Sequence, residues 1–197
     1  MITKETFDLM EMKYGIVGSW AVWTPAEKTA KSNTSDMSWL YQPNLLETLD
    51  TGYVFVGLNW SSTHGDQSQG GSIHWKNFHS SYPYQHDYKL RYALTDTKYW
   101  GSYITDLIKF YREVDSSKVK KFLSKNPSFV AENIASFEEE IGYLQPNPVL
   151  VAMGSDTFNM LSKHLGHKYR IAQIMHYSSY ISKEDYREEV LKSLELL

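Results

Sequence analysis

The sequence predicts an α/β protein, a three-layer α/β/α sandwich around a mostly parallel central sheet, and three observations carry that prediction. Runs of β-forming residues alternate with segments of helical periodicity along most of the chain. The two most telling runs, Tyr53-Val54-Phe55-Val56 and Arg170-Ile171-Ala172-Gln173-Ile174-Met175, lie far apart in the chain, and each stops at a polar segment, Gly57 to Ser62 and His176 to Tyr180. At 197 residues, with 42% hydrophobic and 22% charged side chains, the chain suits one domain, residues 1–197, with a substantial core.

The elements follow in order. A short helical start leads into the apolar segment Tyr14 to Trp23, which reads as an edge strand or an irregular packed stretch. Asp36 to Asp50 carries Met37, Leu40, Tyr41, Leu45, Leu46 and Leu49 at roughly helical spacing, interrupted by Pro43. The Tyr53 strand comes next, and then Ser61 to Ser72, a polar stretch with three glycines that reads as a loop able to close over a ligand. Asp87 to Leu94 predicts a short helix. Tyr99 to Phe110 predicts a buried strand with Asp106 set inside an otherwise β-forming, apolar run. Helices are expected over Ser117 to Ser124 and Ser128 to Ile141. Val149 to Met153 is a continuously apolar strand, turned by Gly154-Ser155 into a helix over Asp156 to Leu165. The Arg170 strand follows, and Ser182-Lys183-Glu184-Asp185 opens a final helix with a capping pattern.

Strands of an open parallel sheet deliver their carboxyl ends to one crevice, so Asn59 and His176 are expected to be neighbours there. Composition narrows the chemistry. The absence of cysteine removes disulfides, thiolate nucleophiles, cysteine-ligated zinc and iron–sulfur clusters, and fits a reducing cytoplasm. A net charge of −3 gives no support to broad attraction to polyanions. Met1 to Lys13 lacks a signal-like apolar core and no long apolar stretch occurs, so the expectation is a soluble cytoplasmic protein without a membrane partner. GxGxxG, GxxxxGK, HExxH and GxSxG are all missing. His74 with His79 and His164 with His167 lack a third ligand and read as surface histidines, so no metal is expected. Two basic clusters, one at Lys118, Lys120, Lys121 and Lys125 and one at Lys163, His164, His167, Lys168 and Arg170, read first as solvated helix faces. The second is the candidate for phosphate contact. Aromatics make up 15% of the chain, many of them beside polar loops, where flat rings suit stacking on bases or sugars as well as packing at the rim of a core.

VFVGLNWSS, YITDLIK, PVLVAMG and IMHYSSY, in this order, resemble the uracil-DNA glycosylase superfamily over roughly Tyr53 to Tyr180, and Asn at position 59 is closest to its mismatch-specific branch. The resemblance implies a uracil-DNA glycosylase-like domain, a monomer acting in base-excision DNA repair, with DNA as partner and without cofactor. Residue by residue it implies Asn59 as the group that orients the hydrolytic water and His176 as the donor to the departing base. Gly57, Leu58, Phe78 and Asp106 would form the base pocket, with Phe78 stacking on the base. Ser178, Ser179 and Tyr180 would meet DNA, with Tyr180 at the wedge position. Two residues depart from the superfamily pattern: Trp60 and Tyr177 stand where prolines are usual. Asp106 stands where uracil-specific members place Asn, and an ionised Asp accepts hydrogen bonds only, which favours a base edge rich in donors over uracil O4. Two other functions stay open on the residues alone: a noncatalytic nucleotide- or nucleic-acid-binding protein on the same scaffold, and a hydrolase of free nucleosides.

Overall fold

In the computed structural model, which describes residues 1–60, 74–82, 84–109 and 111–195, a five-stranded sheet runs in the order β1-β3-β2-β4-β5. The strands are β1 (Ser19–Trp20), β2 (Asp50–Asn59), β3 (Ser102–Ile108), β4 (Val149–Met153) and β5 (Ile171–Ile174). All neighbours pair in parallel except the edge strand β1, which runs antiparallel to β3. The helices are α1 (Lys4–Tyr14), α2 (Leu45–Thr48), α3 (Asp87–Leu94), α4 (Ser116–Lys125), α5 (Pro127–Ile141), α6 (Ser155–Leu165) and α7 (Lys183–Leu194).

Both faces of the sheet are covered, which is why its central strands read as unbroken apolar runs. On one face Val54, Val56, Leu107, Leu150 and Ala152 pack with Phe137 and Ile141 of α5, Leu161 of α6 and Val119 of α4. On the other, Phe55, Ile104, Val151 and Ile174 pack with Leu90 and Leu94 of α3 and Tyr186 and Val190 of α7. Burying each of these aliphatic side chains contributes about 1.5–3 kcal/mol, so the two layers hold the strand ends in a fixed relation.

The expected elements are found with shifted ends. Tyr14 to Trp23 yields only the two-residue edge strand β1. Asp36 to Asp50 is no continuous helix: Pro43 separates a 3₁₀ turn at Ser38–Tyr41 from α2. The first predicted strand extends to Asp50–Asn59 because β3 and β4 flank it on both sides and supply backbone partners that a count of apolar residues does not reveal. Ser182 caps α7 by accepting from the Asp185 N–H at 3.0 Å. The proposed loop Ser61 to Ser72 lies outside the described residues. No described helix is long and apolar enough to cross a membrane.

Candidate functional site

The chain leaves β2 for β3 on one side and returns across β2 to β4 on the other, so the strand order reverses at β2. Such a reversal opens a crevice beyond the carboxyl ends of the strands. A crevice of about 550 Å³ lies there, and its walls include Asn59, Phe78, Asp106, Gly154, His176 and Ser178. Leu58 and Tyr177 also line it. The structure therefore brings Asn59, His176, Leu58, Phe78 and Asp106 together, while Gly57 lies behind the Asp106 carboxyl rather than on the crevice wall. Ser179 and Tyr180 stand outside the crevice wall, Tyr180 being fully exposed at 106%.

His176 follows β5. The Ser178 backbone N–H donates to its Nδ1 at 3.2 Å, and Ser178 Oγ lies 2.6 Å from the same atom. An amide N–H only donates, so Nδ1 is an acceptor and the ring proton sits on Nε2. Burial pushes the imidazole down to about 4, which keeps it neutral at physiological pH. Gly154, at φ +94°, sits behind it, and an added Cβ there would come within 3.4 Å of His176 Cβ. The loop beyond is fastened from α3: the Lys89 ammonium, buried at 4% exposure, donates to the Ser179 and Ile181 carbonyls, each at 2.8 Å.

Asn59 ends β2. Its Nδ2 donates to the Glu113 carbonyl at 2.8 Å and more distantly to the Tyr111 carbonyl, tying the loop before α4 to the strand end. Its Oδ1 takes no hydrogen bond from the described residues.

Trp60 and Tyr177, where the resemblance leads one to expect prolines, both have structural work. The Trp60 N–H donates to the Ile108 carbonyl at 2.9 Å, continuing the β2–β3 ladder in a way proline cannot, and the Arg112 guanidinium covers the indole at 4.0 Å. Tyr177 stacks on His176 at 4.4 Å and meets Phe78 edge-on at 6.3 Å, so an aromatic bridge holds the two walls where a proline would have held only backbone.

Phe78 lies in a segment of unusual backbone. Trp75 and Phe78 have φ of +62° and +63°, a region that non-glycine residues occupy at a cost of about 1–3 kcal/mol. Asn77 between them holds the turn: its Nδ2 donates to the Val17 carbonyl at 2.7 Å and to Asp106 Oδ2 at 3.0 Å, while its Oδ1 accepts from the Phe78 N–H. His79 is the anchor, and here a sequence expectation is corrected. It is no surface histidine but fully buried, stacked between Trp23 and Trp39, with its ring nitrogens 2.8 Å from the Val22 carbonyl and 2.9 Å from that of Asn77. Burial outweighs the two carbonyls that favour the imidazolium and pushes the ring down to about 4.

Asp106 on β3 is 5% exposed, and burial pushes its carboxyl up to about 7, against the opposing pull of Asn77 and Lys109. The Asp106 side chain makes no ion pair with Lys109. The Lys109 ammonium instead donates to the Asp106 backbone carbonyl at 2.7 Å and pairs with Glu140 at 2.6 Å. Glu140 Oε1 also accepts from Tyr103 and Thr105, each at 2.8 Å, so the sheet floor below the crevice carries a buried ion pair.

Comparisons with protein-family models, curated proteins and solved structures find no match.

Sequence reasoning missed Asn77, Asp87 and Lys89. Asp87 is buried in the crevice wall and accepts from the Ser80 N–H at 2.8 Å. The second basic cluster stands away from the crevice: none of its five residues lines it, Lys168 pairs with Glu138 at 2.6 Å, and Lys163 and His164 border a separate groove between α4, α5 and α6. Among the described residues no group of three His, Cys, Asp or Glu is placed to hold a metal.

Proposed function

We propose that this protein hydrolyses the N-glycosidic bond of a deaminated or damaged base in DNA, as a divergent member of the uracil-DNA glycosylase superfamily that needs no cofactor. The observation that carries the reading is the hydrogen bond of 3.2 Å that the Ser178 N–H donates to His176 Nδ1 at the crevice wall. The Ser178 N–H on Nδ1 leaves a proton on Nε2, and a neutral imidazole presents that proton as a hydrogen-bond donor. When the bond between C1′ and the base breaks, its electron pair goes to the base and negative charge gathers on a ring oxygen. A fixed donor in a half-enclosed crevice stabilises that charge.

Water supplies the oxygen that bonds to C1′. Asn59, with its amide N–H groups spent on the Glu113 and Tyr111 carbonyls, keeps Oδ1 to accept a hydrogen bond from that water. An amide orients water but takes no proton from it, so turnover is expected to be slow. Phe78, 6% exposed and braced by Tyr177, offers a stacking surface for a base turned out of the helix, and fully exposed Tyr180 is available to fill the vacated stack.

One observation favours a second reading, a noncatalytic nucleotide- or nucleic-acid-binding protein: much of Asn59 serves to hold a loop rather than to face a substrate. Purified protein incubated with oligonucleotides that each contain one uracil, hypoxanthine, xanthine or mismatched base, with alkali used to reveal abasic sites, separates the two. Cleavage abolished by His176→Ala and slowed by Asn59→Ala supports the glycosylase; tight binding without cleavage supports the second reading.

A further inference from the structure

Asp106 is a buried carboxyl in the crevice that takes no part in the proposed bond cleavage. Its two carboxyl oxygens are not equivalent. Oδ2 accepts from Asn77 Nδ2 at 3.0 Å, and Asn77 is itself held by the Val17 carbonyl at 2.7 Å and the Phe78 N–H at 3.2 Å, so this donor has no freedom to turn away. Oδ1 lies over Gly57, where an added Cβ would come within 2.1 Å of it, and it takes no hydrogen bond from the described residues.

The surrounding charges oppose a carboxylate. Asp87 on α3 and Glu140 on α5 both push the Asp106 carboxyl up. Lys109, at the end of β3, is committed to Glu140 and to the Asp106 backbone carbonyl. Lys89 on α3 is committed to two loop carbonyls. The loop after β5 adds the Tyr177 phenol and a neutral His176, neither a cation. A buried carboxyl without a dedicated counter-cation binds a proton. With the Asn77 N–H on Oδ2, that oxygen acts as the carbonyl, and the proton belongs on Oδ1.

We propose that Asp106 reads its ligand as a neutral carboxylic acid, donating from Oδ1 to a carbonyl oxygen on the edge of the bound base. This rests on the proposed function for what the crevice holds. The ligand class is a lactam base, one presenting C=O at that edge, as uracil and hypoxanthine do. Cytosine and adenine present an amino group there, and donor would face donor. Asp106→Asn copies the neutral acid, with a carbonyl toward Asn77 and an N–H donor toward the ligand, whereas ionisation of Asp106 replaces the donor with an acceptor.

The test has two arms on the full chain. Infrared difference spectra of aspartate-¹³C-labelled protein, parent minus Asp106→Asn, isolate this one carboxyl, with Asp106→Leu as the reference should the Asn variant not fold. The expected result is a protonated C=O band at pH 6 that gives way to a carboxylate band by pH 8. The second arm measures binding of an oligonucleotide carrying uracil on an uncleavable 2′-fluoro sugar. Binding by the parent weakens about tenfold from pH 6 to pH 8, as the competent fraction falls, while that of Asp106→Asn does not change. A carboxylate band at pH 6 overturns the proposal whatever the protein binds. A protonated band with parent binding equal at both pH values overturns the donor role. A protonated band with no oligonucleotide bound by either protein overturns the glycosylase reading, and the ligand assignment with it.

Discussion

Gly57 and Asp106 are register partners on adjacent parallel strands, and the Asp106 carboxyl lies where a side chain at position 57 would have to be: an added Cβ would come within 2.1 Å of Oδ1. The glycine of the first motif therefore makes room for the acid of the second. Gly57→Ala is expected to leave the sheet intact, turn the Asp106 side chain off Asn77, and cost about 1–3 kcal/mol for the unsatisfied buried groups. Urea unfolding measures the cost, and loss of ligand binding with an unchanged circular dichroism spectrum checks the displacement.

Lys89 acts on His176 through the loop it fastens. Lys89→Met keeps the length of the side chain and removes both charge-assisted bonds to the Ser179 and Ile181 carbonyls. The expected outcome is faster amide hydrogen exchange at Ser179 and Ile181, whose N–H groups bond within that loop, with exchange in β2 and β4 unaffected. Where activity is measured, kcat falls more than KM changes, because a positioning group has been lost rather than a contact to the base.

The Lys109–Glu140 pair is 2% and 0% exposed, on the sheet floor beneath the crevice. Removing one partner strands the other, so Glu140→Leu is expected to destabilise by about 3–5 kcal/mol in urea unfolding. Replacing both partners with apolar residues of similar volume should recover most of that loss, a double-mutant comparison that isolates the unpaired charge as the cause.

Stability against pH carries two signatures of opposite sign. His79 and His176 are pushed from 6.5 down to about 4 in the folded chain, so the unfolded chain binds more protons between those values; their contribution is present above pH 6.5 and is lost as pH falls toward 4. Asp106 is pushed from 3.8 up to about 7, so its contribution is full below pH 3.8 and is lost as pH rises through 7. Denaturant midpoints of the parent should therefore fall on acidification from pH 6.5 toward 4, and Asp106→Asn should gain stability relative to the parent as pH rises from about 4 through 7, with no further gain once Asp106 is ionised in both states.

The strand ends were legible because a fully buried strand is a continuous apolar run, and its stop at Gly57-Leu58-Asn59 or His176 marks where the chain meets solvent. Placing Asn59 and His176 in one crevice followed from the rule for parallel sheets. Lys89 was not legible: a lysine in an amphipathic eight-residue helix reads as a solvated face, and only the docking of the His176 loop onto α3 buries it. His79 escaped for the same reason, since nothing local to His79 announces that Trp23 and Trp39 will close on both faces of its ring. Asn77 was hidden because its role lies in a turn with positive φ on residues that seldom adopt it.

The measurement that tests the central claim most directly is release of free base, identified by mass spectrometry, from a duplex containing uracil or hypoxanthine under single-turnover conditions between about pH 5 and 6.5, where the His176 imidazole is neutral if its pKa is near 4. The account predicts release at a rate that stays level across this interval and vanishes in His176→Ala. No release of either base by the parent protein, or a rate that climbs as pH falls in the manner of a histidine that must first be protonated, would contradict it.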